Sequence, residues 1–78
     1  MEVNVLRFNK KTLNSGDATF NSKKKMDKFK SLIPKSIGIS DIIYIDKDMT
    51  YYCVKIFYTK KHVLKICECF KEVLTDGR

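Results

Sequence analysis

Val3 to Phe8 alternate, with Val3, Val5 and Arg7 on one side and Asn4, Leu6 and Phe8 on the other, the two-residue period of a strand. A turn-rich stretch with Gly16 able to take a positive φ follows, then a weak second strand in "DATFN" (17–21). Residues 22–33 read as a helix, because Met26, Phe29, Leu32 and Ile33 recur at helical spacing. Asn21 or Ser22 is placed to cap it, and Pro34 ends it. "DIIYID" (41–46) predicts a strand and "KDMT" (47–50) a turn. "YYCVKIFY" (51–58) is the strongest strand signal, with aromatic and β-branched residues throughout. A second helix is expected from Lys60 to Thr75, with Val63, Ile66, Cys67, Phe70, Val73 and Leu74 as its apolar stripe. Thr59 is its expected cap and Gly77 its closing residue.

The order strand, strand, helix therefore occurs twice. A shift of 37 positions aligns the halves 1–37 and 38–78 without a gap, with identities at Lys10/Lys47, Phe20/Phe57, Lys23/Lys60, Lys24/Lys61 and Lys28/Lys65. An internal duplication and a coincidence of two ordinary units both fit. Either way the expected fold is α+β, a tandem ββα-ββα chain with one four-stranded, mostly antiparallel sheet and two helices packed on one face. Leu6, Phe8, Ile43, Ile45, Val54 and Ile56 are the expected core side of that sheet. Val5, Arg7, Ile42, Tyr44, Tyr51, Cys53, Lys55 and Phe57 then fall on a side that no helix is left to cover.

Composition narrows the class. A hydrophobic share of 44% is that of a globular chain, and no apolar run approaches the roughly 18 residues that cross a bilayer. The chain opens on Met1 with an alternating, charged stretch unlike a secretory leader. One complete domain over 1–78, in the cytoplasm, is the expectation. The net charge is +7, and residues 1–39 carry most of it, with nine Lys or Arg against three acids. Lysine acts on phosphate as a point charge, whereas reading of base edges falls to arginine, so contact with a phosphate backbone is favoured over base recognition.

The two helix starts supply the sharpest anomaly. "SKKK" and "TKKH" put cations where the helix dipole is already positive, at a cost of about 0.3–1 kcal/mol for each exposed lysine. Exposed N–H groups with Lys23, Lys24, Lys25, Lys60 and Lys61 would form an anion site if the two starts lie together. Lys28 and Lys30 extend the basic surface of the first helix, on which Asp27 is the only acid. The bland alternative is a solvated face that keeps the chain soluble. On the uncovered sheet side, Tyr44, Tyr51 and Phe57 beside Arg7 and Lys55 combine rings with charge, a pairing used to stack single-stranded bases. The same composition suits a homodimer through that open face, or a partner interface.

Catalytic and metal chemistry find little support, and no cofactor is expected. His62 is the sole histidine. Cys53, Cys67 and Cys69 give an odd count, and Cys67 and Cys69 lie two apart on a helix, which points them in different directions. Asp41, Asp46 and Asp48 lack calcium-loop spacing. The expected function is therefore a small, basic, non-catalytic nucleic-acid-binding protein that contacts the phosphate backbone, with no membrane partner. The alternative is a viral or plasmid-type inhibitor that docks on an acidic face of a larger nucleic-acid enzyme.

Overall fold

The computed structural model describes residues 4–11 and 14–75, so Val3 and Gly77 lie outside the described residues. The elements are β1 (Val5–Phe8), β2 (Ser15–Phe20), α1 (Lys23–Leu32), β3 (Gly38–Asp46), β4 (Met49–Phe57), a 3₁₀ turn (Lys60–His62) and α2 (Val63–Thr75). They build one α+β layer pair, an antiparallel sheet of order β1-β2-β4-β3 with the helices on one face. The β2–β4 seam joins two hairpins, an arrangement a local twofold axis would generate.

Local chemistry accounts for the helix limits. Ser22 is extended and its Oγ accepts from the Lys25 N–H at 3.4 Å. At the other end Pro34 holds Ile33 at ψ 130, so α1 stops there, and the Ile33 N–H still reaches the Phe29 carbonyl. Lys23 sits in the first turn with its ammonium 2.9 Å from Asp27, one turn on. That contact offsets part of the dipole penalty and raises the lysine's pKa through its hydrogen bond and charge attraction. α2 begins with a tighter turn, in which the Thr59 N–H donates to His62 Nδ1 at 3.4 Å and Thr59 Oγ1 lies 3.1 Å from the same nitrogen.

The core sits between the sheet and the helices. Ala18, Phe20, Val54 and Ile56 from the central strands meet Met26, Phe29, Ile66, Cys69 and Val73, and all are buried. Phe20, Phe29 and Phe70 form a ring cluster with centroids 5.4–6.2 Å apart. The Cys69 thiol donates to the Leu32 carbonyl at 3.4 Å, which satisfies an acceptor at the end of α1. Tyr58 closes the core at one end, its hydroxyl donating to the Ser15 carbonyl at 3.1 Å.

Four expectations change. Ile43 and Ile45 do lie on the helix side, but they are 53% and 73% exposed and form no part of the core. They stand on edge strand β3, Ile43 level with Phe20, the last residue of β2, and Ile45 past it, while α1 packs on β2 and β4. The second strand is not a weak 17–21 segment but the six-residue centre of the sheet; pairing on both sides overrides its poor propensity. Gly16 is needed there for space rather than for a positive φ, since a Cβ would stand 2.3 Å from the Arg7 carbonyl oxygen of β1. The strand limits also move: Met49 and Thr50 belong to β4, leaving a two-residue turn with Lys47 at φ 59.

Candidate nucleic-acid interface

The register decides which candidate side chains meet. β2 and β4 pair Phe20 with Tyr52 and Ser15 with Phe57, so α1 begins at one end of the sheet and α2 at the other. The helices run antiparallel. Lys23, Lys24 and Lys25 therefore stand at the opposite end of the layer from Lys60 and Lys61, and no joint anion site forms. The α1 lysines are also partly engaged: Lys23 pairs with Asp27, and Lys30 reaches Asp41 of β3 at 3.3 Å. Lys30 thus belongs to a helix-to-sheet ion pair, which a sequence reading of α1 alone misses. Lys24 is exposed, while Lys25 and Lys28 are half-buried on the helix layer, away from the uncovered sheet face.

That uncovered face is assembled from cross-strand rows. Ile42, Cys53, Thr19 and Val5 form one row. Ser40, Lys55, Asp17 and Arg7 form the next, followed by Gly38, Phe57 and Ser15. Beyond them, at the protruding tip of the β3–β4 hairpin, Tyr44 and Tyr51 stack with centroids 5.2 Å apart and an interplanar angle of 27°. The Tyr51 hydroxyl donates to Met49 Sδ at 3.5 Å. All eight residues expected on this side, among them the candidate stacking and charged residues Arg7, Tyr44, Tyr51, Lys55 and Phe57, share it. Cys53 is on it too, but buried among its neighbours.

The face is a track, not a patch. Six residue steps along β4 carry the chain from Tyr51 to Phe57, roughly 20 Å at about 3.3 Å per residue. Lys55 lies between the rings, and its cross-strand neighbour Asp17 stands between it and Arg7. Asp17 was not assigned to this face from the sequence, because β2 was too weak a pattern to place; its carboxylate lowers the local positive charge. Phe57, 52% exposed, sits where two shallow depressions meet. One, of about 390 Å³, is bordered by Arg7, Asp17, Lys55 and Phe57. The other, of about 580 Å³, runs past Ser36 and Thr59 to His62. The structure therefore joins Arg7, Lys55 and Phe57 to the start of α2, which spacing along the chain did not reveal.

Other sites offer less. The depression between the helices, of about 520 Å³, is lined by Lys65, Lys71, Glu68 and Glu72, whose charges cancel, and by Cys69. Burial pushes the Cys69 thiol's pKa up, so it is held as the less reactive neutral form. Among the described residues no three His, Cys, Asp or Glu side chains gather as metal ligands, and no helix is long and apolar enough to cross a membrane. Comparison with protein-family models, curated proteins and solved structures finds no match to this chain.

Proposed function

We propose that this protein binds single-stranded nucleic acid, without catalysis, along the uncovered face of its sheet. The observation that carries the reading is the exposed Phe57, beside Arg7 and Lys55 and three and four residues before Lys60 and Lys61 in the chain, on the same face as the Tyr44–Tyr51 stack. Rings accept bases of any sequence, and the lysines answer the phosphates. A track of roughly 20 Å accommodates on the order of four nucleotides. The α1 lysines lie in the helix layer and contribute to the field that draws a polyanion in rather than to direct contact.

Anisotropy of a short labelled single-stranded oligonucleotide tests this. Four phosphate contacts from Arg7, Lys55, Lys60 and Lys61 give a log–log salt slope near −2.8, at about −0.7 per contact. Charge reversal of Lys60 and Lys61 together should weaken binding far more than reversal of Lys23 and Lys24. Absence of binding at about 50 mM salt, or equal effects of the two double variants, refutes the placement. In that event, capture of one acidic protein would favour the inhibitor alternative.

A further inference from the structure

The outer edge of β3 combines features that natural sheets avoid on an unprotected strand. Its nine residues pair with β4 from Gly38 to Asp46 in unbroken register, with no bulge and no proline. The two-residue turn makes Asp46 and Met49 a hydrogen-bonded pair, so the even-numbered residues of β3 bond to β4. The backbone N–H and C=O groups of Ile39, Asp41, Ile43 and Ile45 therefore point outward. Apolar side chains flank that open ladder on both faces: Ile43 and Ile45 on the helix side, Ile42 and Tyr44 on the other. With Ile39, these five are 37% to 73% exposed. Edge strands in soluble proteins are usually short, charged, bulged or covered; here Asp41 is the one charged side chain within the apolar run, and Lys30 already answers it.

We infer that β3 pairs antiparallel with β3 of a second copy, joining two sheets into one of eight strands. A second copy fits because a twofold axis normal to the sheet keeps each face in register. Centred on Tyr44, the pairing sets Ile43 against Ile45 twice on the helix side and Tyr44 against its equivalent on the other. Ile42 then lies opposite Asp46, while Asp41 and Ile39 fall opposite positions 47 and 49, in the turn and in β4, past the end of the partner's β3. The exposed area of the four residues that meet, Ile42 to Ile45, equals about two whole side chains. At about 200 Å² each this is at most roughly 850 Å² in the symmetric pair, the size of a weak, reversible interface. The dimer is independent of the nucleic-acid reading, because the uncovered face stays open and is doubled in length.

Sedimentation equilibrium of the full chain, without nucleic acid, tests the inference. A dimer with micromolar Kd is expected, and it should tighten with added salt as the repulsion between two chains of +7 is screened. Nucleic-acid binding must move the other way. Ile43→Pro removes an outward N–H that makes no bond within the sheet, and should weaken the dimer at least tenfold with far-ultraviolet dichroism unchanged. Ile45→Lys, at a position already 73% exposed, should do the same and decides the matter if the proline variant fails to fold. A monomer at about 1 mM, or a Kd moved by Phe57→Ser but not by Ile45→Lys, overturns it; the latter would assign association to the open face.

Discussion

Phe20 and Phe57 open the two matching segments "FNSKKK" and "FYTKKH", yet alanine at each should fail in opposite assays. Phe20 is fully buried, with ring centroids 5.4 and 5.5 Å from Phe29 and Phe70. Truncating a buried phenylalanine costs about 3–5 kcal/mol in transfer and cavity terms, and the lost ring pairs push the value toward the upper end. A chain of this length has about 4–12 kcal/mol of total stability at roughly 0.05–0.15 kcal/mol per residue. Phe20→Ala should therefore lower Tm by at least about 12 °C, at some 4 °C or more per kcal/mol, or leave the chain unfolded at 37 °C. Phe57 faces solvent over half its surface, so Phe57→Ala should change stability by less than about 1 kcal/mol. It should instead remove one stacking platform, about 1–3 kcal/mol, and weaken oligonucleotide affinity roughly 5- to 150-fold. Urea and thermal melts measure the first quantity, and anisotropy at fixed salt the second. If Phe57→Ala unfolds the chain as Phe20→Ala does, the face is not open. If it melts normally and binds normally, stacking at Phe57 is wrong.

Two further outcomes follow from the same geometry. Lys47 occupies the left-handed region at φ 59 in the β3–β4 turn, where a Cβ costs about 1–2 kcal/mol. Lys47→Gly should raise the urea midpoint by the equivalent of about 1 kcal/mol, and a drop would show that its side chain holds the hairpin. Burial raises the pKa of Cys69 and of Tyr58 above their ordinary values of 9.0 and 10.0. The folded state favours their neutral forms, so their contribution is complete below pH 9 and is lost as pH rises through the raised values. Tm measured from pH 8 to 11 should fall, and a flat or rising profile would contradict the burial of both groups.

The elements that were legible in the sequence owe their form to local chemistry. Ser22, Pro34 and the spacing of Met26, Phe29 and Ile33 define α1, and the aromatic and β-branched run of residues 51–58 defines β4. Both signals act within a few residues. β2 was faint because its stability comes from neighbours on both sides, and Ser-Gly-Asp carries no strand pattern of its own. The faces of β1, β3 and β4 follow from alternation alone, so Arg7, Tyr44, Tyr51, Lys55 and Phe57 share a side as expected. Burial does not follow from alternation. Ile43 and Ile45 carry the core pattern, but helix length and strand order leave them uncovered. The separation of the lysine groups likewise depends on antiparallel pairing of β2 with β4, which no local spacing encodes. One aligned pair misleads outright: Phe20 and Phe57 match by the shift of 37, yet they face opposite sides of the sheet, because Tyr58 fills the buried place at the end of β4.

The seam between β2 and β4 has a consequence for how the chain acquires its shape. During synthesis β1, β2 and α1 emerge first, but Phe20 and Phe29 have no lid until Phe70 arrives, and β2 has one free edge until residues 52–57 exist. The early product is thus half a sandwich that cannot close on itself. Productive collapse waits for the carboxy-terminal portion, in which the tight β3–β4 hairpin forms locally and offers β4 as the template on which the waiting strand zips.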